Sequence, residues 1–257
     1  MCFVEEDWPT TSEQVGCALQ VHTVTDSTNM RAREWAEGAP HPAPHGAIVL
    51  ADEQTAGRGR LGRAWVSSPG QNLLFTLILR PRPETVARGM LPLATALAIA
   101  DTINQFLGMP SAEIKWPNDV LIGGRKCAGV LMEAISDKAV LIGIGLNVNE
   151  AAFPEALQNR STSLLLESGQ RMDRRALFSG LTTRLQEWIY QSDEHVLASY
   201  QARVSGIGDP IELSYGQKTI RGMMSGIHSD GGLILKTDKG ENVYYAGDVT
   251  LLKPKEN

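Results

Sequence analysis

The chain changes character between Ser205 and Gly208. Upstream, strand-like and helix-like patterns occupy separate blocks. Downstream, Gly208 to Leu252 breaks into short β segments, with turn signals at Tyr215-Gly216, Ser229-Asp230-Gly231-Gly232 and Asp238-Lys239-Gly240. Such a stretch of about 45 residues reads as a small β-barrel. The 257 residues therefore suit one large domain followed by a small one. The expected organisation is a flexible lead-in over 1–16, a main α+β domain over 17–206 and the barrel over 207–257.

Within the large block, Ala18 to Val24 alternates as a strand, passes through Thr25-Asp26-Ser27-Thr28-Asn29 and becomes helical as far as Glu37. Asp26, Ser27 or Thr28 suits the N-cap of that helix. Free hydroxyls and N–H groups at a helix start equally suit a polar ligand. His41-Pro42-Ala43-Pro44-His45-Gly46 is a loop by composition, and its histidines, lacking metal spacing, are expected at the surface. Ala47 to Glu53 and Asn72 to Arg80 read as strands, the second stopped by Pro81 and Pro83. Leu91 to Leu107 is a strongly apolar helix with Gly108 as its stop; Leu93, Leu97 and Ala100 recur at helical spacing and mark it as core. Ala112 to Trp116 is a short strand. Val120 to Ile122, the turn Gly123-Gly124 and Arg125 to Ile135 have the signature of a hairpin. In the next strand, Lys138 to Val148, Gly143 and Gly145 stand two apart and bare one face of the sheet to close approach. Asp173 to Tyr190 is amphipathic through Leu177, Leu181, Leu185 and Trp188, and a further helix covers about Glu194 to Val204.

Composition narrows the function. A net charge of −5 argues against a diffuse nucleic-acid-binding surface. Cys2, Cys17 and Cys127 have no metal or redox spacing, and so sparse a count points to a reducing compartment. No run of about 18 apolar residues is evident, so no membrane span is expected. The acidic start lacks a signal-peptide core and is too short for a separate DNA-reading module, so a cytoplasmic protein is the default expectation.

Against this background Gln54-Thr55-Ala56-Gly57-Arg58-Gly59-Arg60-Leu61-Gly62-Arg63-Ala64-Trp65 concentrates arginines on a glycine-rich loop. Such a loop can turn backbone N–H groups and guanidinium forks toward a phosphate or carboxylate. Its Gly57-x-Gly59-x-x-Gly62 spacing is not a dinucleotide fingerprint, because Ala64 to Gly70 does not continue as a helix and position 80 is Arg80 rather than an acid. No Gly-Lys-Ser/Thr follows, so it is not a Walker loop either. A second motif, Lys115-Trp116-Pro117-Asn118-Asp119, makes a turn in which Pro117 holds Trp116 extended. There Asn118 can serve as a polar ligand contact, and Asp119 can orient or deprotonate an amine. A third, Gly124-Arg125-Lys126-Cys127-Ala128-Gly129-Val130-Leu131-Met132-Glu133, carries a lysine into an apolar strand. Lys126 either snorkels at the strand end or is held toward an anion.

Taken together and in order, these segments and Gly143-Ile144-Gly145-Leu146-Asn147 resemble the biotin protein ligases, over about Val21 to Leu252. The resemblance implies a mixed sheet flanked by helices, similar to the catalytic core of class II aminoacyl-tRNA synthetases, followed by an SH3-like barrel. It implies that the biotin ring meets Ser27, Thr28 and Gln54 with Asn29 close by, and approaches the sheet at Gly129 and Gly145. Arg58, Gly59 and Arg60 would close over the valerate tail and the adenylate phosphate, and Lys126 would contact carboxylate and phosphoryl oxygens. Arg58, Arg60, Arg63, Trp65, Asn118, Lys126 and Asn147 form the implied nucleotide set. Lys126, Arg60 and Asp119 form the implied catalytic set, Asp119 orienting the acceptor amine. No metal ligand is expected from the protein; Mg²⁺ would ride on the ATP phosphates.

The implied reaction makes biotinyl-5′-adenylate from biotin and ATP, then transfers biotin to a lysine of a carrier domain. The form expected is one without a DNA-binding domain, as a monomer or homodimer. The loop is expected to be mobile when empty, because glycines cost entropy to order. A lipoate or octanoyl ligase of the same superfamily and a non-catalytic biotin sensor are the competing readings; the arginine loop and the Lys-Trp-Pro-Asn-Asp run favour biotin.

Overall fold

The computed structural model describes residues 8–9 and 14–252. Cys2 and most of the expected lead-in lie outside them. Twelve strands and five α-helices are described, in the order β1 (Leu19–Thr25), α1 (Thr28–Glu37), β2 (Ala47–Gln54), β3 (Leu73–Leu79), α2 (Leu91–Leu107), β4 (Ala112–Lys115), β5 (Asp119–Ile122), β6 (Arg125–Ile135), β7 (Ala139–Leu146), α3 (Leu164–Ser168), α4 (Arg174–Ile189), α5 (Asp193–Gln201), β8 (Pro210–Tyr215), β9 (Lys218–Ile227), β10 (Leu233–Thr237), β11 (Gly240–Tyr244) and β12 (Asp248–Leu251).

The first seven strands form one sheet in the order β1-β2-β3-β7-β6-β5-β4. β1 and β2 run parallel, and a parallel pair needs a crossover, which α1 supplies. The remaining neighbours are antiparallel. This is the mixed sheet with flanking helices that the resemblance implied. The last five strands form a separate antiparallel sheet, β11-β10-β9-β8-β12.

Strand periodicity sorts the core into two layers. On β2, Ile48 and Leu50 join the large core with α2, α4 and α5, while Ala47 and Val49 face the opposite way. On that second face α1 lays Ala32 and Ala36 against Ala47, Val49, Ile78, Ala139 and Leu141. Small residues let this helix sit close to the sheet. A ten-residue helix is only about 15 Å long, so α1 covers part of the face and leaves the ends of β3, β6 and β7 uncovered. The site described below occupies that uncovered part.

Several local expectations are met at the level of dihedrals. Gly108 ends α2 at φ 69°, and Gly123 and Gly124 turn the β5–β6 hairpin at φ 54° and 72°. Asp173, read from the sequence only as the start of a helix, proves to cap α4 with bonds from the N–H groups of Arg175 and Ala176. Others are corrected. His45 is not at the surface: it is buried, with its ring nitrogens 2.9 Å from the Arg80 carbonyl and 2.9 Å from the Tyr190 hydroxyl. Within the lead-in, Trp8 packs edge-on against Phe178 and Val15 is fully buried, so the described positions are anchored rather than loose. The short α3 was not foreseen. The helical stretch Arg88–Leu107 does reach the length and apolarity of a membrane span, at mean hydropathy 1.3, contrary to the reading of the composition. It spends that apolarity in the core, with eleven residues of α2 buried.

The second sheet docks on the first domain through backbone close enough to exclude side chains. A Cβ on Gly89 would stand 2.4 Å from the Asp230 carbonyl oxygen, and one on Gly231 would stand 2.5 Å from that of Gly89. Alongside, the Trp116 indole Nε1 donates to the Gly231 carbonyl at 3.0 Å. Gly89→Ala should therefore cost about 1–3 kcal/mol of overpacking, read as a lower thermal midpoint and faster proteolytic cutting near 205–208. An unchanged melt would mean this contact does not hold the two parts together.

Candidate active site

The uncovered part of the sheet is bare because of glycine. Gly129 on β6 pairs with Gly145 on β7, and Gly143 pairs with Thr76 on β3 and with Leu131 on β6. Above this strip opens a cavity of about 820 Å³. Its walls come from the start of α1, the arginine loop, the β4–β5 turn, the segment after β7, and strands β8 and β12.

At the helix end, Ser27 occupies the N-cap position of α1 yet its side chain makes no capping bond. The Asp26 carboxylate accepts from the Ser27 N–H itself at 2.6 Å. The hydrogen-bonded Arg31 guanidinium holds the Asp26 carboxyl well below the usual carboxylate range, so it remains an acceptor. The Ser27 and Thr28 hydroxyls are thereby brought to the cavity. Gln54, at the end of β2, accepts from the Thr28 N–H at 2.7 Å and from its hydroxyl at 3.1 Å.

The arginine loop is a closed hairpin-like turn. The Gly59 N–H donates to the Arg63 carbonyl at 2.7 Å and the Trp65 N–H to the Gly57 carbonyl at 2.9 Å. Leu61 stands at φ 56°, a left-handed conformation uncommon for a branched residue, and Gly62 follows at φ 73°. Trp65 lies across the glycine strip: a Cβ on Gly145 would sit 2.5 Å from its ring, and one on Gly129 3.1 Å from it. In this arrangement the first group to use the bare strip is the chain's own indole, where the resemblance implied the ligand ring.

The three loop arginines diverge. The Arg60 Nη1 donates to Asn118 Oδ1 at 2.9 Å and to the Gly247 carbonyl at 3.2 Å. Burial lowers its proton affinity, and the carboxylates of Asp248 and Asp119 act against that. Arg63 pairs with Asp248 on β12. Arg58 is exposed at the cavity rim, its backbone bridged to Ala64.

Lys126 does not snorkel into solvent. Its ammonium stands 2.6 Å from Asp119 Oδ1 and 5.5 Å from the centroid of a Trp65 ring. A register shift between β5 and β6 turns Lys126 to the cavity side while Cys127 enters the core. Burial pushes the Cys127 thiol up, which leaves it no part as a nucleophile. Asn118 is fully engaged: its amide nitrogen donates to the Val130 carbonyl at 2.6 Å while its oxygen receives Arg60. Asn147 is half engaged, its nitrogen on the Thr162 carbonyl at 3.0 Å and its oxygen buried without a partner.

The structure thus brings every residue singled out in the sequence to one cavity: Ser27, Thr28, Asn29, Gln54, Arg58, Gly59, Arg60, Arg63, Trp65, Asn118, Asp119, Lys126, Gly129, Gly145 and Asn147 all line it. It adds Asp248 to the lining, which sequence reasoning missed because nothing in a β tail announces a partner for a distant loop. Behind the lining, the Gly247 carbonyl meets Arg60, and Thr76, a lone hydroxyl in an otherwise apolar strand, LLFTLIL, meets Thr28 and Asn29. That interruption was a legible signal.

The sequence matches the biotin/lipoate A/B protein ligase family over residues 21–149 and the biotin protein ligase C-terminal domain over residues 206–252. It is 37% identical over 238 residues to a biotin–[acetyl-CoA-carboxylase] ligase of Paracoccus denitrificans, covering 88% of this chain and 97% of that one. It is 34% identical over 250 residues to the bifunctional ligase/repressor BirA of Bacillus subtilis, covering 93% of this chain and 76% of that relative. The fold superposes on the biotin protein ligase of Aquifex aeolicus in complex with biotin and ATP with a TM-score of 0.80 at 30% identity, over 92% of this chain and 99% of that one. The chain belongs to the biotin/lipoate A/B protein ligase family, as a biotin protein ligase with the C-terminal domain of that class.

Proposed function

We propose that this chain activates biotin with ATP and passes it to a lysine ε-amine of a biotin carboxyl carrier domain, with the residue roles that follow. The observation that carries this reading is convergence: five separate sequence segments meet in one cavity, with neutral hydrogen-bonding groups at the α1 end and cations beyond the glycine strip. A bicyclic urea suits the first region. A carboxylate and a phosphate suit the second.

In the first step a biotin carboxylate oxygen attacks the α-phosphorus of ATP and the bond to pyrophosphate breaks. Two anions must meet, so the chain's contribution is charge and position. Lys126, Arg58 and Arg60 supply the charge. Mg²⁺ would screen the outer phosphates. Among the described residues no group of three or more His, Cys, Asp or Glu is disposed to hold a metal ion, so the cation would travel on phosphate oxygens.

Drawing Lys126 toward the adenylate separates it from Asp119. In the second step the acceptor amine attacks the mixed-anhydride carbonyl, the carbon–oxygen bond to AMP breaks, and the freed Asp119 carboxylate orients the amine and takes its proton. The partner assignment draws support from the Paracoccus relative, a ligase of acetyl-CoA carboxylase.

Labelling of a purified carrier domain in the presence of biotin, ATP and Mg²⁺ tests the reading as a whole. Biotin in place of lipoate as the accepted acid is the expected result; preference for the linear acid, or no labelling, would overturn it. Lys126→Ala should fold normally yet lower biotin-dependent pyrophosphate release by about 10²–10³-fold. Wild-type release would remove Lys126 from the first step. Asp119→Asn should leave pyrophosphate release close to normal and slow transfer to the carrier by about 10²-fold, a split visible when the two steps are timed separately. Arg60→Gly cuts both of its ties and should raise the dissociation rate of biotinyl-adenylate by about tenfold or more; an unchanged rate in a pulse-chase experiment would count against a latch.

A further inference from the structure

The two legs of the arginine loop are fastened differently. On the outgoing leg, just after Gln54, the Thr55 and Ala56 N–H groups donate to the Thr25 and Asp26 carbonyls at 2.8 and 2.9 Å. On the returning leg the first tie after Trp65 is to a side chain. The Glu150 carboxylate accepts from the Ser68 N–H at 2.9 Å, from the Ser68 hydroxyl at 2.5 Å and from the Asn72 amide nitrogen at 2.7 Å. Backbone donors set the direction of this cluster. The Val148 N–H donates to the Asn72 carboxamide at 2.9 Å, so the atom it meets is the oxygen, and the Asn72 nitrogen faces Glu150. That nitrogen and the Ser68 N–H fall on one carboxylate oxygen, Oε2.

Glu150 is 6% exposed, and all three of its donors are neutral groups. A buried carboxylate without a cation is costly unless its oxygens are filled. Here two of the three bonds come from Ser68, so releasing Ser68 would strip the carboxylate, and the tie is stiff for that reason. Its base is fixed as well, since the Glu150 carbonyl accepts from the Ser163 hydroxyl at 2.7 Å. A second strap runs beside it: the Asn149 N–H donates to the Gln71 carbonyl at 2.9 Å. Neither Glu150 nor Ser68 lines the cavity, but each stands three residues beyond a residue that does. Ser68 follows Trp65, whose indole lies over Gly145 and Gly129. Glu150 follows Asn147, whose carboxamide oxygen is buried without a partner.

We propose that Glu150 is a positioning residue for ATP: from behind the cavity it fixes the returning leg of the arginine loop against the segment that carries Asn147, so that Trp65 and Asn147 meet the nucleotide as one wall. The outgoing leg, which follows Gln54, hangs on backbone carbonyls and is independent of Glu150, so biotin recognition does not pass through this tie. The inference rests on the nucleotide roles that the family resemblance gives Trp65 and Asn147, and its failure is separable from the failure of that reading.

Separate KM values for ATP and biotin, taken from biotin-dependent pyrophosphate release, are the readout. Glu150→Ala should raise the KM for ATP about tenfold and leave that for biotin within about twofold. Glu150→Gln should recover most of the loss, because its carbonyl can take the place of Oε2 while its NH₂ donates to the Ser68 hydroxyl. Ser68→Ala, at an exposed position, removes one bond of the three and should raise the KM for ATP about threefold with the fold intact. Trp65→Ala should raise it too, and adding Glu150→Ala to that variant should cost little more. An unmoved KM for ATP, equal rises for ATP and biotin, no recovery by glutamine, or strictly additive losses with Trp65→Ala would each overturn the positioning role. If Glu150→Ala fails to fold, Ser68→Ala decides alone: a selective rise for ATP supports the tie, and an unmoved value overturns it. Absence of biotin-dependent pyrophosphate release by the wild-type protein would instead overturn the reading of the cavity.

Discussion

A sheet face without side chains has to be covered by something, and in this protein that single constraint organises the rest. Gly129, Gly143 and Gly145 remove three side chains from adjacent antiparallel strands where the core would ordinarily continue. The void is divided between Asn29, seated over Gly143, and the Trp65 indole, seated over Gly145 and Gly129. Each of these belongs to a segment that carries chemistry: Asn29 to the hydroxyl-bearing start of α1, Trp65 to the end of the arginine loop. The glycines thus fix both ends of the site by letting other groups come close to the backbone.

The same economy governs charge. In a cavity partly shielded from water, unpaired cations are costly, and the protein answers by pairing them internally. Lys126 rests on Asp119, Arg63 on Asp248, and Arg60 on neutral oxygens of Asn118 and Gly247. An arriving anion need not bring order to free side chains; it exchanges one partner for another. In the proposed mechanism, the exchange that places Lys126 on the phosphate also frees Asp119 for the acceptor amine.

Most of the fold was legible in the sequence because its signals are local. The Gly108 stop, the Gly123-Gly124 turn and the alternating strands all act within a few residues. The site was legible for a different reason: unusual residues, such as a lysine in an apolar strand and arginines among glycines, each had a structural reading alone but together and in order carried a family resemblance. What escaped was relational. His45 reads as a loop residue in a Pro-rich stretch, yet Arg80 and Tyr190, far along the chain, give it the partners that make burial affordable. Nothing near Asp248 indicates that Arg63 will reach it. The apolar helix Arg88–Leu107 shows the converse, since the same composition serves a membrane or a core and only the neighbours decide.

The contact between Arg60 and the Gly247 carbonyl spans 187 positions of sequence. In a chain emerging from synthesis, the residues of the large sheet, the glycine strip and the arginine loop all precede β12. Until that strand is laid down, Arg60 has one of its two anchors and Arg63 has no carboxylate to meet. Under the latch role proposed for Arg60, the hold on a reactive acyl-phosphate would be completed last, and a copy ending before β12 would lack these two contacts.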